Sequence, residues 1–425
     1  MSQANGSRWF YSFVPHGMAG GATSTLIPLF AYALGGNLAD VGIIAAATSI
    51  ASVPAFLLWG LLSDRIGRRR VFLLVGFLGS GLSFALMALC GTMSQFYLAN
   101  LLIGFLGAAS GPVSAVLVME TSERKKWPSK LAFLSRLSGV GWVVGLALGV
   151  AWLTIGPVLV GELGAMRALF VIGAALGLLS GILAASWLAE PTVRVERRDV
   201  HLVDIHFRVE RVKYLPMRLL HYVDPRNHRG SRVRLARPLR TYLLSVFLLF
   251  GGFTAFYGFF PIFLKEAYAL TSPQVFVVFI ASQVTSAAFY PRVGRWVSDH
   301  GGRRVQLYAS LGRAVLFPSF FLVALAPLPW EARFATALAL HAGVGLCWAM
   351  INVAGSTLVS RLAPDGARAQ ALGAFNSMQG FGSILGPLVG GFVAQGLGYA
   401  GAFASSAAFI LAGAVILAVN RVSER

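Results

Sequence analysis

Residues 60–70 read GLLSDRIGRRR, and residues 295–304 read RWVSDHGGRR. Each stretch lies between long apolar runs. Asp64 and Asp299 are 235 residues apart, and so are Gly67 and Gly302. A loop motif that recurs at one offset between hydrophobic segments indicates two copies of a single membrane unit. The sequence therefore predicts a membrane transporter built from an internal repeat.

The composition supports a chain that lies mostly within a membrane. Hydrophobic residues make up 56% of its 425 residues, charged residues 12%, and the mean hydropathy is +0.71. A soluble domain is about 25% charged, and a helix needs about 20 apolar residues to cross a bilayer. We predict an all-α integral membrane protein whose twelve transmembrane helices form two six-helix halves. The twelve stretches, numbered in chain order, cover about residues 10–34, 40–62, 71–90, 94–119, 130–154, 165–188, 240–264, 273–297, 305–326, 332–359, 369–394 and 399–419.

The net charge of +19 does not indicate nucleic-acid binding, because the cations cluster in particular loops. Their placement indicates instead how the chain is oriented in the membrane. Loops that follow even-numbered stretches carry most of them, whereas the other loops carry only Arg167, Lys265 and Arg333. By the positive-inside rule, both termini and the central linker are expected in the cytoplasm. Stretch 1 is longer than a signal-peptide core and is expected to be retained in the cytoplasmic membrane. Cys90 and Cys347 lie one in each half, so no disulfide or metal cluster is expected.

The long polar break divides the chain into residues 1–189, a basic linker at 190–239, and residues 240–425. Residues 203–209 and 232–235 alternate as strands do, and residues 214–222 could form a surface helix. A small hairpin is therefore one interpretation of the linker. The other, which we prefer, is a basic connector held by anionic lipid headgroups.

Small residues repeat between the halves as well. Gly141 and Gly145 in stretch 5 match Gly382 and Gly386 in stretch 11 at one constant offset. An even number of helices in each half keeps both halves in the same orientation, so an axis along the membrane normal should relate them. A ridge of small residues lets another helix approach closely.

The first loop resembles the signature loop of the major facilitator superfamily, which joins that family's helices two and three. Its matching residues are Gly60, Asp64, Arg65, Gly67, Arg68 and Arg69, and the second copy retains Asp299, Gly302, Arg303 and Arg304. Stretch 11 resembles a glycine-proline signature of the same family, and stretch 5 keeps only part of it. The matching residues of stretch 11 are Gly373, Gly382, Gly386, Pro387, Gly390 and Gly391, and those of stretch 5 are Gly141, Gly145 and Gly149. The resemblance implies that helices 1, 4, 7 and 10 line a central cavity.

In this loop we interpret Asp64 as a gating residue. A carboxylate at the end of stretch 2 can accept hydrogen bonds from a helix N-terminus and pair with Arg65 or Arg68. Arg69 and Arg70 are read as ordinary cations that set the orientation of the chain.

Polar residues inside the apolar stretches are the binding candidates. Arg136 is the first choice, since a cation about two turns into a membrane helix should face water or a partner. Arg313 on stretch 9 is expected to snorkel or to pair structurally. Each lone Asn or Gln is as consistent with a hydrogen bond between helices as with a contact to the ligand. The remaining candidates for substrate or proton are His16, Asn100, Glu120, Tyr257, His341, Asn352, Asn376 and Gln379.

Absences narrow the function. No Asp or Glu lies near the middle of an apolar stretch, which weakens proton-coupled export of cationic drugs. The cation Arg136 favours an anionic or neutral-polar ligand. His16, His341 and Glu120 remain candidates to carry a proton. The sequence contains no P-loop motif for binding ATP. The apolar stretches also lack a cluster of His with Asp or Glu of the kind that an enzyme would use.

We therefore expect a secondary active transporter that works by alternating access, proton-coupled, with efflux slightly preferred. The first alternative is an uptake transporter or uniporter for an organic anion, sugar or metabolite. The alternative of another class is a non-transporting sensor or scaffold. The expected partners are a small-molecule substrate, a proton or other coupling ion and the lipid bilayer, with no nucleic acid, no metal and no cofactor. We expect a monomer.

Overall fold

The structure is a computed structural model that describes residues 5–123, 126–188, 190, 237–363 and 368–419. The predicted linker elements at 203–209, 214–222 and 232–235 lie outside the described residues. A 3₁₀ helix, Asn5–Ser12, precedes twelve α-helical segments. In chain order these are α1 Phe13–Ser24, α2 Leu26–Ala33, α3 Leu38–Ile66, α4 Arg69–Leu89, α5 Met93–Gly107, α6 Ser110–Thr121, α7 Trp127–Trp187, α8 Arg237–Ala267, α9 Ser272–His300, α10 Gly302–Leu325, α11 Trp330–Leu362 and α12 Arg368–Val419.

Nine helices within the described residues are long and apolar enough to cross a membrane. Two of them, α7 and α12, are far longer than one crossing requires. Each contains one glycine with positive φ, Gly161 at +74° and Gly398 at +72°. L-residues with a side chain rarely adopt this conformation, so glycine permits the chain to turn there. Both glycines fall between predicted stretches, 5 and 6 in α7 and 11 and 12 in α12.

The internal repeat is visible in the way α3 and α9 begin and end. Each helix has 29 residues and starts with a capping box, Asn37 with Asp40 in α3 and Thr271 with Gln274 in α9. In a capping box the two side chains satisfy backbone N–H groups that the helix leaves free. Helices α3 and α9 therefore have the same length and begin in the same way.

The ends of these helices correct one predicted match. The residue that follows α3 is the C-cap Gly67 with φ +70°, and the residue that follows α9 is the C-cap Gly301 with φ +83°. Gly301, not Gly302, is therefore the counterpart of Gly67, because Gly302 is already the first residue of α10. The connection between helices is one residue shorter in the second copy.

The glycine ridges bring helices into backbone contact within each half. A Cβ atom on Gly145 of α7 would lie 2.1 Å from the carbonyl oxygen of Met18 on α1. A Cβ atom on Gly386 of α12 would lie 2.3 Å from the carbonyl oxygen of Gly251 on α8. Both distances are too short for a side chain, so each ridge allows its pair of helices to approach as closely as backbones can.

Two further contacts join the halves. Gly149 of α7 packs on the ring of Phe276 in α9, and Gly391 of α12 packs on Gly42 in α3. A Cβ atom on Gly391 would lie 2.6 Å from the carbonyl oxygen of Leu38. These contacts align the two halves side by side, and each carries a small residue where the helices meet.

Candidate transport pathway

The described helices run between two ends of the bundle, which we call the loop end and the far end. The loop end carries residues 60–70, and the far end carries the turns near Gly35, Gly161 and Gly398.

At the loop end, Arg69 bridges two helices of the first half. Its Nη1 atom lies 2.7 Å from Oδ1 of Asp64 in α3, and its Nη2 atom lies 3.2 Å from Oε1 of Glu120 in α6. Nη1 also donates to Oγ of Ser63 at 2.9 Å. Arg69 and Glu120 are 13% and 4% exposed, so this network is largely removed from water. One guanidinium thus holds α3, α4 and α6 together through charge-assisted hydrogen bonds.

The network corrects the predicted roles of the loop arginines. Arg69, interpreted above as a cation that only sets orientation, is the residue that pairs with Asp64, whereas Arg65 and Arg68 are exposed. Arg70 contacts the end of α7, where it donates to the carbonyl oxygen of Ala185. Glu120 belongs to this loop-end network and not to the middle of the bundle.

The second copy of the loop is built differently. Asp299 is exposed, and Arg303 donates through Nε to the carbonyl oxygen of Leu417 in α12 at 3.0 Å. Arg303 thus ties α10 to α12, so the repeat in sequence does not produce the same set of contacts. Gly60, at the start of the first motif, is half-buried within α3.

At the far end, Glu266 connects the two halves. Its Oε1 atom accepts a hydrogen bond from the hydroxyl of Tyr32 in α2, and its Oε2 atom accepts from Tyr399 in α12 at 2.5 Å. Tyr32 belongs to the first half, whereas Glu266 and Tyr399 belong to the second. One carboxylate therefore holds both halves at this end.

The adjacent residue makes a second link between the halves. Nζ of Lys265 lies 2.8 Å from Oε1 of Glu162, which also accepts from Oγ of Ser272 at 3.3 Å. The hydrogen bond from Lys265 holds the pKa of the Glu162 carboxyl below its usual value, although partial burial acts in the opposite direction. The backbone N–H of Leu38 adds a bond of 3.2 Å to Oε1 of Gln395. We call Tyr32, Glu162, Lys265, Glu266 and Tyr399 the far-end latch.

Inside the second half, the half-buried Tyr257 of α8 pairs with the buried His341 of α11. Nδ1 of His341 lies 2.8 Å from the carbonyl oxygen of Val278 in α9, and Nε2 lies 3.3 Å from the Tyr257 hydroxyl. A carbonyl oxygen can only accept, so Nδ1 carries a proton and donates to Val278. In the neutral ring Nε2 must then accept from Tyr257. The pair therefore ties α8, α9 and α11 together, and both of its members were binding candidates.

Close to this pair lies Arg313 of α10, for which the sequence left two interpretations open. Arg313 is 1% exposed, so it does not snorkel to the membrane surface, which was the first of the two. Its Cζ atom lies 4.3 Å from the ring centre of Phe253, 5.4 Å from that of Trp348 and 5.7 Å from that of Phe317. Nη2 makes one long contact of 3.5 Å with the carbonyl oxygen of Val344. The sequence signal was weak, because a single arginine near the middle of a stretch matches either position.

The remaining candidates are spread over both halves. His16 packs its ring 4.6 Å from that of Phe77, and Asn100 is fully buried with its amide bonded to the carbonyl oxygen of Phe96 at 2.8 Å. Arg136 is exposed on a face of α7 that also exposes Val140. The structure does not bring Arg136 to the Tyr257–His341 pair. On α11 and α12, Asn352 and Asn376 are exposed, and Gln379 is half-buried.

Comparison with known proteins identifies the family. The family model described as Major Facilitator Superfamily matches residues 9–330 and 242–425. The chain belongs to the major facilitator superfamily. Members of that superfamily are membrane transporters that bind small-molecule substrates.

Curated relatives of this superfamily chain are resistance proteins. It is 32% identical to the tetracycline resistance protein, class B, of Escherichia coli over 136 residues, which cover 31% of this chain and 30% of the relative. It is 21% identical to multidrug resistance protein 1 of Bacillus subtilis over 83% of this chain and 80% of the relative. The match thus spans less than a third of the tetracycline relative, and most of the multidrug relative.

Solved structures of the superfamily share the fold. A variant of the nucleoside transporter NupG superposes with a TM-score of 0.77 at 16% identity, over 98% of this chain and 100% of that one. A bacterial homologue of the human lysosomal transporter Spinster, in an inward-facing and occupied conformation, gives 0.70 at 12% identity over 98% and 95%. These identities establish the shared architecture only.

Proposed function

We propose that this protein is a secondary active transporter that moves a small organic solute by alternating access, and that the structure represents a state open toward the loop end. The observation that carries the proposal is the far-end latch. Glu266 and Lys265 of one half bind Tyr32 and Glu162 of the other, so the halves are held together at one end. Rocking of the two halves about a central site would require these bonds to break.

The proposed topology has twelve membrane crossings, with both termini and the linker on the cytoplasmic side. The protein is proposed to be a monomer in the cell membrane. The glycine turns at Gly161 and Gly398 support two crossings in each of α7 and α12. The loop end carries Arg65, Arg68 and Arg69, which the positive-inside rule assigns to the cytoplasm. The state in the structure is then open to the cytoplasm, as in the inward-facing Spinster homologue.

For direction and coupling we propose export driven by protons. The names of the relatives, tetracycline and multidrug resistance proteins, support export. His341 is the proposed proton carrier, because it is a buried imidazole bonded to α8 and α9. Uptake of an organic anion is the second candidate, and the buried cation Arg313 favours it.

The test is a recording from proteoliposomes that contain a pH-sensitive dye and an imposed proton gradient. Tetracycline, a nucleoside and an aromatic carboxylate are added one at a time. We expect one of them to trigger proton movement that liposomes without protein do not show. Silence with all three, from protein whose folding has been verified, would contradict proton-coupled transport. Movement of labelled solute without protons would indicate a uniporter.

The gating role of the loop end is tested on the same vesicles. Asp64→Asn removes the charge that pairs with Arg69 and keeps the size of the side chain. We expect transport to fall while solute binding in detergent stays close to that of the parent protein. Unchanged transport would show that Asp64 has no part in the cycle.

A further inference from the structure

Arg313 has fewer polar partners than a buried guanidinium requires. Its Nε and Nη1 atoms are buried and have no hydrogen-bond partner among the described residues. A guanidinium carries five N–H donors. Within the part of the chain that the structure describes, its one hydrogen bond is the long contact from Nη2 to the carbonyl oxygen of Val344. The guanidinium of Arg313 is therefore buried, but most of its hydrogen-bond donors have no acceptor among the described residues.

The aromatic rings around Arg313 offset only part of this cost. A cation over an aromatic face gains about 0.5–2 kcal/mol. Removing a charge from water costs several kcal/mol even after relaxation, unless an opposite charge and hydrogen bonds compensate it. Among the described residues no carboxylate pairs with Arg313, and no Asp or Glu lies near the middle of any predicted stretch. The compensating charge has to come from outside the described chain.

A stripe of side chains on α11 connects this cation with the exposed surface. His341, Trp348 and Asn352 are separated by seven and four residues, so they share one face of the helix. His341 is 1% exposed, Trp348 is half-buried, and Asn352 is exposed on the side of the loop end. Trp348 contacts Arg313 directly, so the guanidinium lies one side chain away from a partly exposed residue.

We propose that Arg313 binds the acidic group of the transported solute and that this solute is an organic anion with an apolar or aromatic body. The assignment rests on the proposed transport function and names the substrate class of that site. An anion that enters along the α11 face would meet Trp348 first and then the unpartnered Nε and Nη1 atoms of Arg313. Phe253 and Phe317 supply apolar surface for the body of the solute. Tyr257 and His341 lie beside this position, but the Tyr257 hydroxyl already donates to His341 and Nδ1 of His341 to Val278, so the donors for the acidic group come from Arg313.

The competing explanation is that Arg313 is a purely structural cation that joins α8, α10 and α11 through its rings. The two explanations differ in the ligand-free protein. A structural cation stabilises the fold, so replacing it with methionine lowers the melting temperature. An uncompensated cation destabilises the empty protein, so an apolar residue of similar length leaves that temperature unchanged or raises it.

The experiment measures the thermal unfolding of the purified full-length chain in detergent with benzoate, benzyl alcohol, benzylamine or sodium chloride added. Arg313→Met and Arg313→Lys are compared with the parent. Arg167→Met is the matched control, because Arg167 is a half-buried arginine of the other half that donates to the carbonyl oxygen of Cys90 at 3.0 Å and also has an unpartnered Nε.

We expect benzoate alone to raise the melting temperature of the parent and of Arg167→Met. Arg313→Met should weaken the benzoate affinity about 10- to 100-fold, as expected for the loss of charge-assisted hydrogen bonds, without a lower melting temperature in the absence of ligand. Arg313→Lys should bind with intermediate affinity, since lysine keeps the charge and loses the planar fork.

Three results would overturn the assignment. They are a benzoate response that survives in Arg313→Met, a parent that responds equally to benzyl alcohol or to chloride, and a parent that responds to none of the additions. Because binding is measured without a membrane, a failure here leaves the proteoliposome test of transport intact. Binding of benzoate without transport in vesicles would contradict the proposed function instead.

Discussion

The Nζ atom of Lys265 lies 2.8 Å from Oε1 of Glu162, and these residues belong to different halves of the molecule. The next residue, Glu266, accepts a hydrogen bond from Tyr32 of the opposite half. Two consecutive side chains at the end of α8 therefore bind two separate helices across the interface. Movement of the halves at the far end has to break both bonds together.

Removal of the Glu162 charge should loosen the far end. An exposed ion pair contributes up to about 1 kcal/mol, so Glu162→Gln should shift the ratio of closed to open far ends by up to about fivefold. Spin labels at the exposed positions Val158 and Leu397 would report this as longer distances. Glu331→Gln removes another exposed acid at the same end and should leave the distances unchanged. Equal shifts in both variants would exclude a specific latch.

The same latch should respond to acid in a definite direction. The pKa of Glu162 is lowered in the folded protein, so the contribution of the pair is present above the usual carboxylate pKa of about 4.3. It is lost as the pH falls below that value. Label distances in the parent should therefore lengthen at acidic pH, whereas those of Glu162→Gln should respond less.

Arg69 should matter more than the neighbouring arginines of its loop. Arg69→Met leaves Glu120 without the guanidinium that donates to both of its oxygens, and an unsatisfied buried acceptor costs about 1–3 kcal/mol. We expect a lower melting temperature and slower transport. Arg65→Met, at an exposed position of the same loop, should change stability by less than about 0.5 kcal/mol. If both variants behave alike, the sequence interpretation of Arg69 as an orientation signal is sufficient.

A single methyl group at Gly391 should separate the halves. In Gly391→Ala the new Cβ atom would lie 2.6 Å from the carbonyl oxygen of Leu38, and backbone cannot give way as a flexible side chain does. The distance between labels at Val158 and Leu397 should increase. Gly396→Ala places a methyl group in open space five residues further along α12 and serves as the control. A parent-like distance in Gly391→Ala would mean that α3 and α12 can slide to accommodate it.

His341 should separate driven transport from passive exchange. His341→Gln removes the group that can take up a proton between Tyr257 and Val278. If His341 carries the coupling proton, the variant should lose accumulation against a gradient and retain counterflow of labelled solute. His16→Gln tests the other candidate histidine, which packs on Phe77 in the first half. Normal accumulation in His341→Gln would transfer the coupling role to another residue.

Local signals in the sequence were sufficient for the class of fold. Apolar stretches of sufficient length must be helical in a bilayer, since every backbone polar group has to be bonded within its own segment. The 235-residue offset predicted the repeat, which the matched caps of α3 and α9 display. Even the turns inside α7 and α12 fall where the stretches were separated. These features depend on neighbours in the chain, which a sequence displays directly.

The contacts between residues far apart in the chain could not be predicted from local sequence signals. Arg69 looked like any other cation of its loop, because Glu120, its second partner, is 51 residues away. Glu162 and Lys265, 103 residues apart, each resembled an ordinary charge at a helix end.

Local patterns in the sequence were enough to predict a helical membrane protein of two repeated halves, because hydrophobic length and glycine spacing act locally. The packed structure was needed to show at which end side chains link the two halves and which cation is buried. The face that a helix turns inward depends on the helices packed around it, and Arg313 is enclosed by rings from α8 and α11 as well as from its own helix.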